Sequence, residues 1–239
     1  MNLGRTPYAE CWSYQQDLLE QRIAGELSDT LVLTEHDHVY TIGASGEARH
    51  VLASPAELAA MGASVVSTDR GGDVTYHGPG QLVAYPIMDL QQHRTDLHWY
   101  LRALEESVIR VLGRFGLEAE RSEPYTGVWV GNEKVCAIGV RTRRWVTMHG
   151  LALNVNTELK YFRSIIPCGI AHRGVTSLAM LLSSPVDMEE VARAFVVEFA
   201  SVFDLLPLDL SGNAMPSYGA EYPGGLQPNT GLPSQETSQ

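Results

Sequence analysis

Arg70-Gly71-Gly72-Asp73-Val74-Thr75-Tyr76-His77-Gly78-Pro79-Gly80-Gln81 is the stretch on which the reading of this chain turns. Four glycines and a proline stand here beside an arginine, an aspartate, a tyrosine and a histidine. Glycine is placed where a backbone needs positive φ or where another group must come close. The flanks are not loop-like, because residues 65–68 read as a strand before the stretch and residues 82–87 as a strand after it. A glycine-rich, reactive-looking segment between two buried strands reads as the wall of a site. The plainer alternative is a wide hairpin connection. Neither the Walker spacing nor a strand–GxGxxG–helix order is present, so this is not a phosphate loop of either kind.

Outward from that stretch the chain reads as one α+β domain. Residues 8–24 carry Tyr8, Cys11, Trp12, Leu18, Leu19 and Ile23 on one helical face, with Gly25 as a stop. Ser54-Pro55-Ala56-Glu57 starts a brief helix. From 96 to 115, Leu97, Leu101, Leu104, Val108, Val111 and Phe115 recur by fours and threes as on a core-facing helix, and a last helix is predicted over 186–204. The period changes to two at 126–130, 134–140 and 145–156, three strands with a tight Gly131-Asn132 turn between the first two. Residues 30–34 are a further strand. The catalytic domain is predicted over 1–210. Residues 211–239, rich in Gly, Pro, Ser, Asn and Gln, are predicted to be a disordered tail.

The 239 residues suffice to bury a full core. A net charge of −11 argues against a general nucleic-acid binder, which needs a basic surface. No apolar run reaches the roughly 18 residues of a membrane span, and the N-terminus lacks an apolar signal core. The expectation is a cytoplasmic protein, and a monomer. Three cysteines, Cys11, Cys136 and Cys168, make no disulfide framework. His36 and His38 flank Asp37 on a strand end but lack a third ligand at metal-binding spacing, so no metal is expected.

Cys168 sits between Pro167 and Gly169, where consecutive backbone N–H groups can face an oxygen. A nucleophilic cysteine needs help to become thiolate, and a nearby ammonium supplies it. Lys134 is one of only two lysines in a chain with 15 arginines, and lysine alone of the two can give up its proton near neutral pH. Strand alternation places Lys134 and Cys136 on one face unless a bulge parts them. His77 and His149 are rival activators, and spacing alone does not choose among the three. Cys11 reads as a small buried apolar residue.

Together these motifs resemble a known family. The 70–82 stretch, Lys134-Val135-Cys136-Ala137-Ile138-Gly139-Val140, His149-Gly150-Leu151-Ala152-Leu153-Asn154-Val155, and Pro167-Cys168-Gly169-Ile170 followed by Gly174-Val175-Thr176-Ser177-Leu178 are similar, in order, to the motifs of the lipoyl(octanoyl) transferases. The resemblance covers residues 8–205. It implies a single mixed-sheet domain of the biotin/lipoate protein ligase-like (class II synthetase-related) type. It also implies octanoyl transfer from acyl carrier protein to a lysine of lipoyl domains in 2-oxoacid dehydrogenase complexes and glycine cleavage H protein. Cys168 is then the acyl-thioester nucleophile, and Lys134 lowers its pKa and shuttles protons. Arg70, Gly71, Gly72, Asp73, Val74, Thr75, Tyr76 and His77, with Ala137, Ile138 and Gly139 and with Gly150, Leu151 and Ala152, line the acyl site. His149 is a candidate assistant. No cofactor is implied, because the acyl group arrives on the carrier's phosphopantetheine. Asp73 departs from the uncharged polar residue common in the family.

Two alternatives remain on the same fold. An ATP-dependent lipoate or biotin ligase would not need Cys168 with Lys134, and neither would a non-catalytic acyl- or protein-binding module. Because acyl carrier proteins and lipoyl domains are acidic, docking calls for a local positive patch. Arg141, Arg143 and Arg144 are the first candidates, with Arg49, Arg163 and Arg173 as further ones.

Overall fold

The computed structural model describes residues 1–166, 173–209 and 224–228. In chain order the elements are β1 (Asn2–Thr6), α1 (Tyr8–Ala24), β2 (Asp29–His36), β3 (Val39–Ile42), α2 (Pro55–Ala60), β4 (Ser64–Ser67), β5 (Val74–His77), β6 (Gln81–Ile87), α3 (Leu97–Arg114), β7 (Glu120–Ser122), β8 (Tyr125–Val130), β9 (Glu133–Arg143), β10 (Val146–Asn154), β11 (Gly174–Val175), α4 (Leu178–Leu182), α5 (Met188–Val202), β12 (Leu205–Asp209) and β13 (Gly224–Pro228). A mixed sheet runs β12-β13-β2-β6-β10-β9-β8-β7, with β1 parallel to β2 and β11 parallel to β9 at its edges. A second, three-stranded sheet runs β4-β3-β5.

Both faces of the large sheet are covered, so its central strands read as continuous apolar runs. Leu31, Leu33, Leu82, Ala84, Leu151 and Leu153 join the core beneath α3 and α5. Their neighbours Val32, Val83, Tyr85 and Ala152 pack toward α1 with Cys11, Leu18 and Leu19. The period-two alternation thus divides each strand between two cores. A third cluster, with Tyr40, Val74, Tyr76, Tyr161 and Phe162, lies under the small sheet.

The helix starts follow the sequence signals. Ser54 and Glu57 form a reciprocal capping box at α2, and Asp96 accepts from the Trp99 amide at the start of α3. Three departures stand out. The 70–81 stretch, expected as a site wall between two buried strands, itself contains β5, and the preceding β4 is largely exposed at the edge of the small sheet rather than buried. The five-residue α4, capped by Ser177, is too short for a helical period to show in sequence. Within 211–239, where disorder is the expectation, residues 224–228 form β13 between β12 and β2. Among the described residues no helix is long and apolar enough to cross a membrane.

One ionic knot fastens α1 to the sheet. Asp29, only 2% exposed, accepts from Arg22 Nε at 2.7 Å, His93 Nε2 at 2.6 Å and the Asp89 amide at 2.9 Å. Removing one partner of a buried pair leaves an uncompensated charge. Asp29→Ala is therefore expected to lower unfolding free energy by about 3–5 kcal/mol in urea titration, whereas the exposed Arg5–Asp37 pair contributes under about 1 kcal/mol.

Candidate active site

A cavity of about 390 Å³ opens between the 70–77 segment and strands β9 and β10. The wall exists because backbone meets backbone. The Gly71 amide donates to Val140 O at 2.9 Å, and a Cβ on Gly139 would stand 2.6 Å from Gly71 O. No larger residue fits there without pushing the wall off β9. Arg70, 7% exposed, holds the segment from behind. Its guanidinium donates to Thr41 O at 2.6 Å, Asp73 O at 2.7 Å, Gly71 O at 3.0 Å and Thr41 Oγ1. A planar fork meets these acceptors where a lysine ammonium would not.

Of the residues expected to line the acyl site, Arg70, Gly71, Gly72, Val74, Thr75, His77, Ala137, Ile138, Gly139, Gly150, Leu151 and Ala152 all do line the cavity. Asp73 and Tyr76 do not. The Asp73 carboxylate turns to His50 Nδ1 at 2.7 Å, and Tyr76 stacks on Tyr161, 5.0 Å between centroids, inside the third core cluster. Alternation along β5 directs Val74 and Tyr76 into that core, and of the two Val74 also reaches the cavity. Sequence reasoning missed Tyr8, Gln81, Tyr125, Thr126 and Asn154, which also line it. Asn154 and Gln81 lie inside quoted motifs, but Tyr8 and Tyr125 carry no local signal of their place.

Lys134 reaches the cavity because β9 is bulged. Trp129 pairs with Lys134, but Val128 pairs with Cys136, so one residue of β9 is left over. The extra residue lets Val135 and Cys136 both enter the core while Lys134 turns to the other side. Its Nζ donates to Thr126 O at 3.3 Å and lies 4.8 Å from the centre of the Trp129 ring. Val175 of β11 pairs directly beside it and also lines the cavity. Cys168 lies outside the described residues. The other two thiols are quenched by burial, which pushes Cys11 up to about 11 and Cys136 higher still.

Both rival histidines are neutral. Gln81 Nε2 donates to Asn154 Oδ1 and to Tyr76 O, so its Oε1 must accept from His77 Nδ1 at 2.8 Å. Burial, then the neighbouring His36 and Arg70 charges, hold His77 well below the usual range. His149 Nε2 donates to Asp69 at 2.6 Å, and Arg141 pairs with the other Asp69 oxygen. Burial first, then Arg70 and Arg141, bring His149 down to about 3. Its Nδ1 is buried without a hydrogen-bond partner among the described residues.

His36 and His38 do not share a site. His36 bonds Tyr85 and Thr6 O, whereas His38 bonds Tyr76 and Tyr161. The docking arginines are partly engaged: Arg141 with Asp69, Arg143 with Glu20, Arg49 with Glu47, and Arg173 over the Tyr125 and Trp129 rings. Arg144 and the exposed Trp145 form the two-residue tip between β9 and β10, both with positive φ.

Residues 7–200 match the family described as the lipoyl protein ligase A/B catalytic domain. An octanoyltransferase of Chloroflexus aggregans is 51% identical over 211 residues, covering 87% of this chain and 96% of its own. An octanoyltransferase of Flavobacterium johnsoniae is 46% identical, covering 85% and 95%. Among solved structures, a bipartite lipoate protein ligase of Thermoplasma acidophilum, reported with its E2 lipoyl domain, superposes with a TM-score of 0.66 at 19% identity. It covers 84% of this chain and 82% of its own, a likeness of fold.

The buried histidines set an acid limit. His36 at about 4, His149 at about 3 and His77 lie below the ordinary 6.5 in the folded protein. Between about pH 6 and 4 the unfolded chain binds protons that the native one does not, so stability falls as pH falls. Each histidine adds up to about 1.4 kcal/mol per pH unit to that slope. Urea titrations over this range are expected to show the fall, made shallower by about one histidine's share in His149→Gln.

Proposed function

This chain belongs to the lipoyl protein ligase A/B catalytic-domain family and is an acyltransferase of the lipoyl(octanoyl) transferase type, and from that premise we propose how it moves the octanoyl group in protein lipoylation. The donor is octanoyl-acyl carrier protein. The Cys168 thiolate attacks the thioester carbonyl, the bond to the phosphopantetheine sulfur breaks, and that thiol leaves with a proton from Lys134. A lysine ε-amine of a lipoyl domain then attacks the Cys168 thioester. The C–N bond forms as the C–S bond breaks, and the surplus amine proton passes to Lys134. Transthioesterification is nearly thermoneutral and thioester-to-amide transfer is downhill, so no cofactor takes part.

One observation carries this reading. The β9 bulge turns Lys134 into the cavity, beside the strand by which the chain returns from the segment holding Cys168. The cavity suits an alkyl chain, since Ala137, Gly139, Gly150 and Ala152 leave room between the strands. An octanoyl chain buries about seven carbons at about 0.8 kcal/mol each. His149, with a conjugate acid at about 3, is too weak a base to carry protons at neutral pH. Its part is to shape the pocket with Asp69, and His77 does the same with Gln81. The acidic carrier and lipoyl domain dock at the Arg144–Trp145 hairpin tip and the adjoining Arg143.

Intact-mass spectrometry after mixing with octanoyl-acyl carrier protein is expected to show one octanoyl group on the wild type and none on Cys168→Ser. An unmodified wild-type protein, fresh and reduced, would end the thioester reading. Lys134→Arg is expected to lose at least about 100-fold in rate with the fold intact, because arginine keeps the charge but does not release a proton. Arg143→Ser with Arg144→Ser is expected to raise KM for the carrier and spare a small octanoyl thioester. Equal loss on both substrates removes the docking surface.

A further inference from the structure

We propose that Glu105 of α3 is a positioning residue for Lys134, acting through the single peptide group that joins Thr126 to Gly127. The inference rests on the reading of Lys134 as the proton carrier. Glu105 has no exposed surface, and its Oε1 accepts from the Gly127 amide at 2.9 Å. At the other end of the same peptide, Thr126 O accepts from Lys134 Nζ at 3.3 Å. In a trans peptide the N–H and C=O point in opposite directions, so the peptide stands between a carboxylate and an ammonium with its dipole aligned to both. A carboxylate on the N–H end polarises the carbonyl and strengthens it as an acceptor. Where Thr126 O points decides where the ammonium rests, and Glu105 decides where Thr126 O points.

The surroundings fit this work. Gly127 has a φ of +131°, and a Cβ there would lie 2.6 Å from Cys136 O and 3.3 Å from Lys134 Cε. Glycine therefore both permits the turned peptide and leaves the channel through which the lysine stem crosses β8. The bulge that frees Lys134 from the core lies opposite, where Val128 and Trp129 face Cys136 and Lys134. A second cation shares this corner: the Arg173 guanidinium stands 4.7 Å from the same Trp129 ring.

Glu105 is more than the arginines nearby require. It pairs with Arg102 at 2.7 Å and Arg121 at 3.3 Å, yet Arg102 also holds Glu123 and Arg121 also holds Glu106. Neither cation is stranded when Glu105 loses its charge, so Glu105→Gln is expected to fold. A carboxylate present only to tie α3 to β7 and β8 would leave Lys134 chemistry untouched. The two roles are therefore separable.

The test uses an octanoyl thioester of N-acetylcysteamine, which needs no docking. Glu105→Gln is expected to lose about ten- to a hundred-fold in kcat, with KM within two-fold and the thermal midpoint close to wild type. In a Lys134→Arg background the same change is expected to cost nothing further, because the group it positions is gone. Losses that multiply, an unchanged kcat, or a kcat that falls only with the thermal midpoint would overturn the proposal. Should Glu105→Gln not fold, the Gly127 amide resonance reads the coupling with Glu105 intact. It is expected to move in Lys134→Met, and a resonance that stays in place overturns the proposal. Near-normal turnover of Lys134→Arg would instead refute the role of Lys134, a separate outcome from either.

Discussion

The buried Arg70 guanidinium holds the segment that bridges the small sheet to the large one. It takes its acceptors from Thr41 on the small sheet and from the carbonyls of Gly71 and Asp73, while Gly71 itself is bonded to Val140 on the large sheet. Every acceptor is a backbone carbonyl or a hydroxyl that would be costly to bury alone. One side chain thus satisfies the polar groups of a seam and fixes its width. The cavity is the space that remains at that seam, beside the close approach of Gly71 O to Gly139, where a Cβ on Gly139 would stand 2.6 Å away.

Much of this is legible in the chain. The spacing of Leu97, Leu101, Leu104 and Val108 marks α3, and the alternation across 126–156 marks three strands, because burial on one face or two imposes a period on the residues themselves. The glycines of 70–81 announce a close approach. They do not say what is approached, and β5 hides among them because a four-residue strand has too little length to show a period. Tyr76 belongs to the same motif as His77 yet faces away from the cavity, since neighbours on a strand point oppositely, and Asp73, just ahead of β5, turns its carboxylate to His50 instead.

Register is the other thing a sequence withholds. Lys134 and Cys136 sit two apart, and strict alternation would send both into the core or both into the cavity. The leftover residue in β9 separates them, and nothing in Lys-Val-Cys-Ala announces a bulge, because bulges are settled by the partner strand. Residue identity carries the chemistry better than geometry does. The scarcity of lysine marks Lys134 and Lys160 alike, the motif resemblance points to Lys134, and the bulge turns it to the cavity. Likeness to relatives is a property of the whole chain and leaves the roles of single residues to experiment.

The seam also has a consequence for how the chain acquires its shape. The two sides of the cavity come from residues 70–77 and 137–152, and Arg70 reaches back to Thr41. Contacts so distant in sequence close late, because loop entropy must be lost before they form. Helices and the β8–β9–β10 hairpins, whose contacts are local, can form before the two sides meet. The cavity therefore exists only once that long-range pairing is in place. A chain still growing, or partly unfolded, holds the side chains of the site without the enclosure that gives them a common environment.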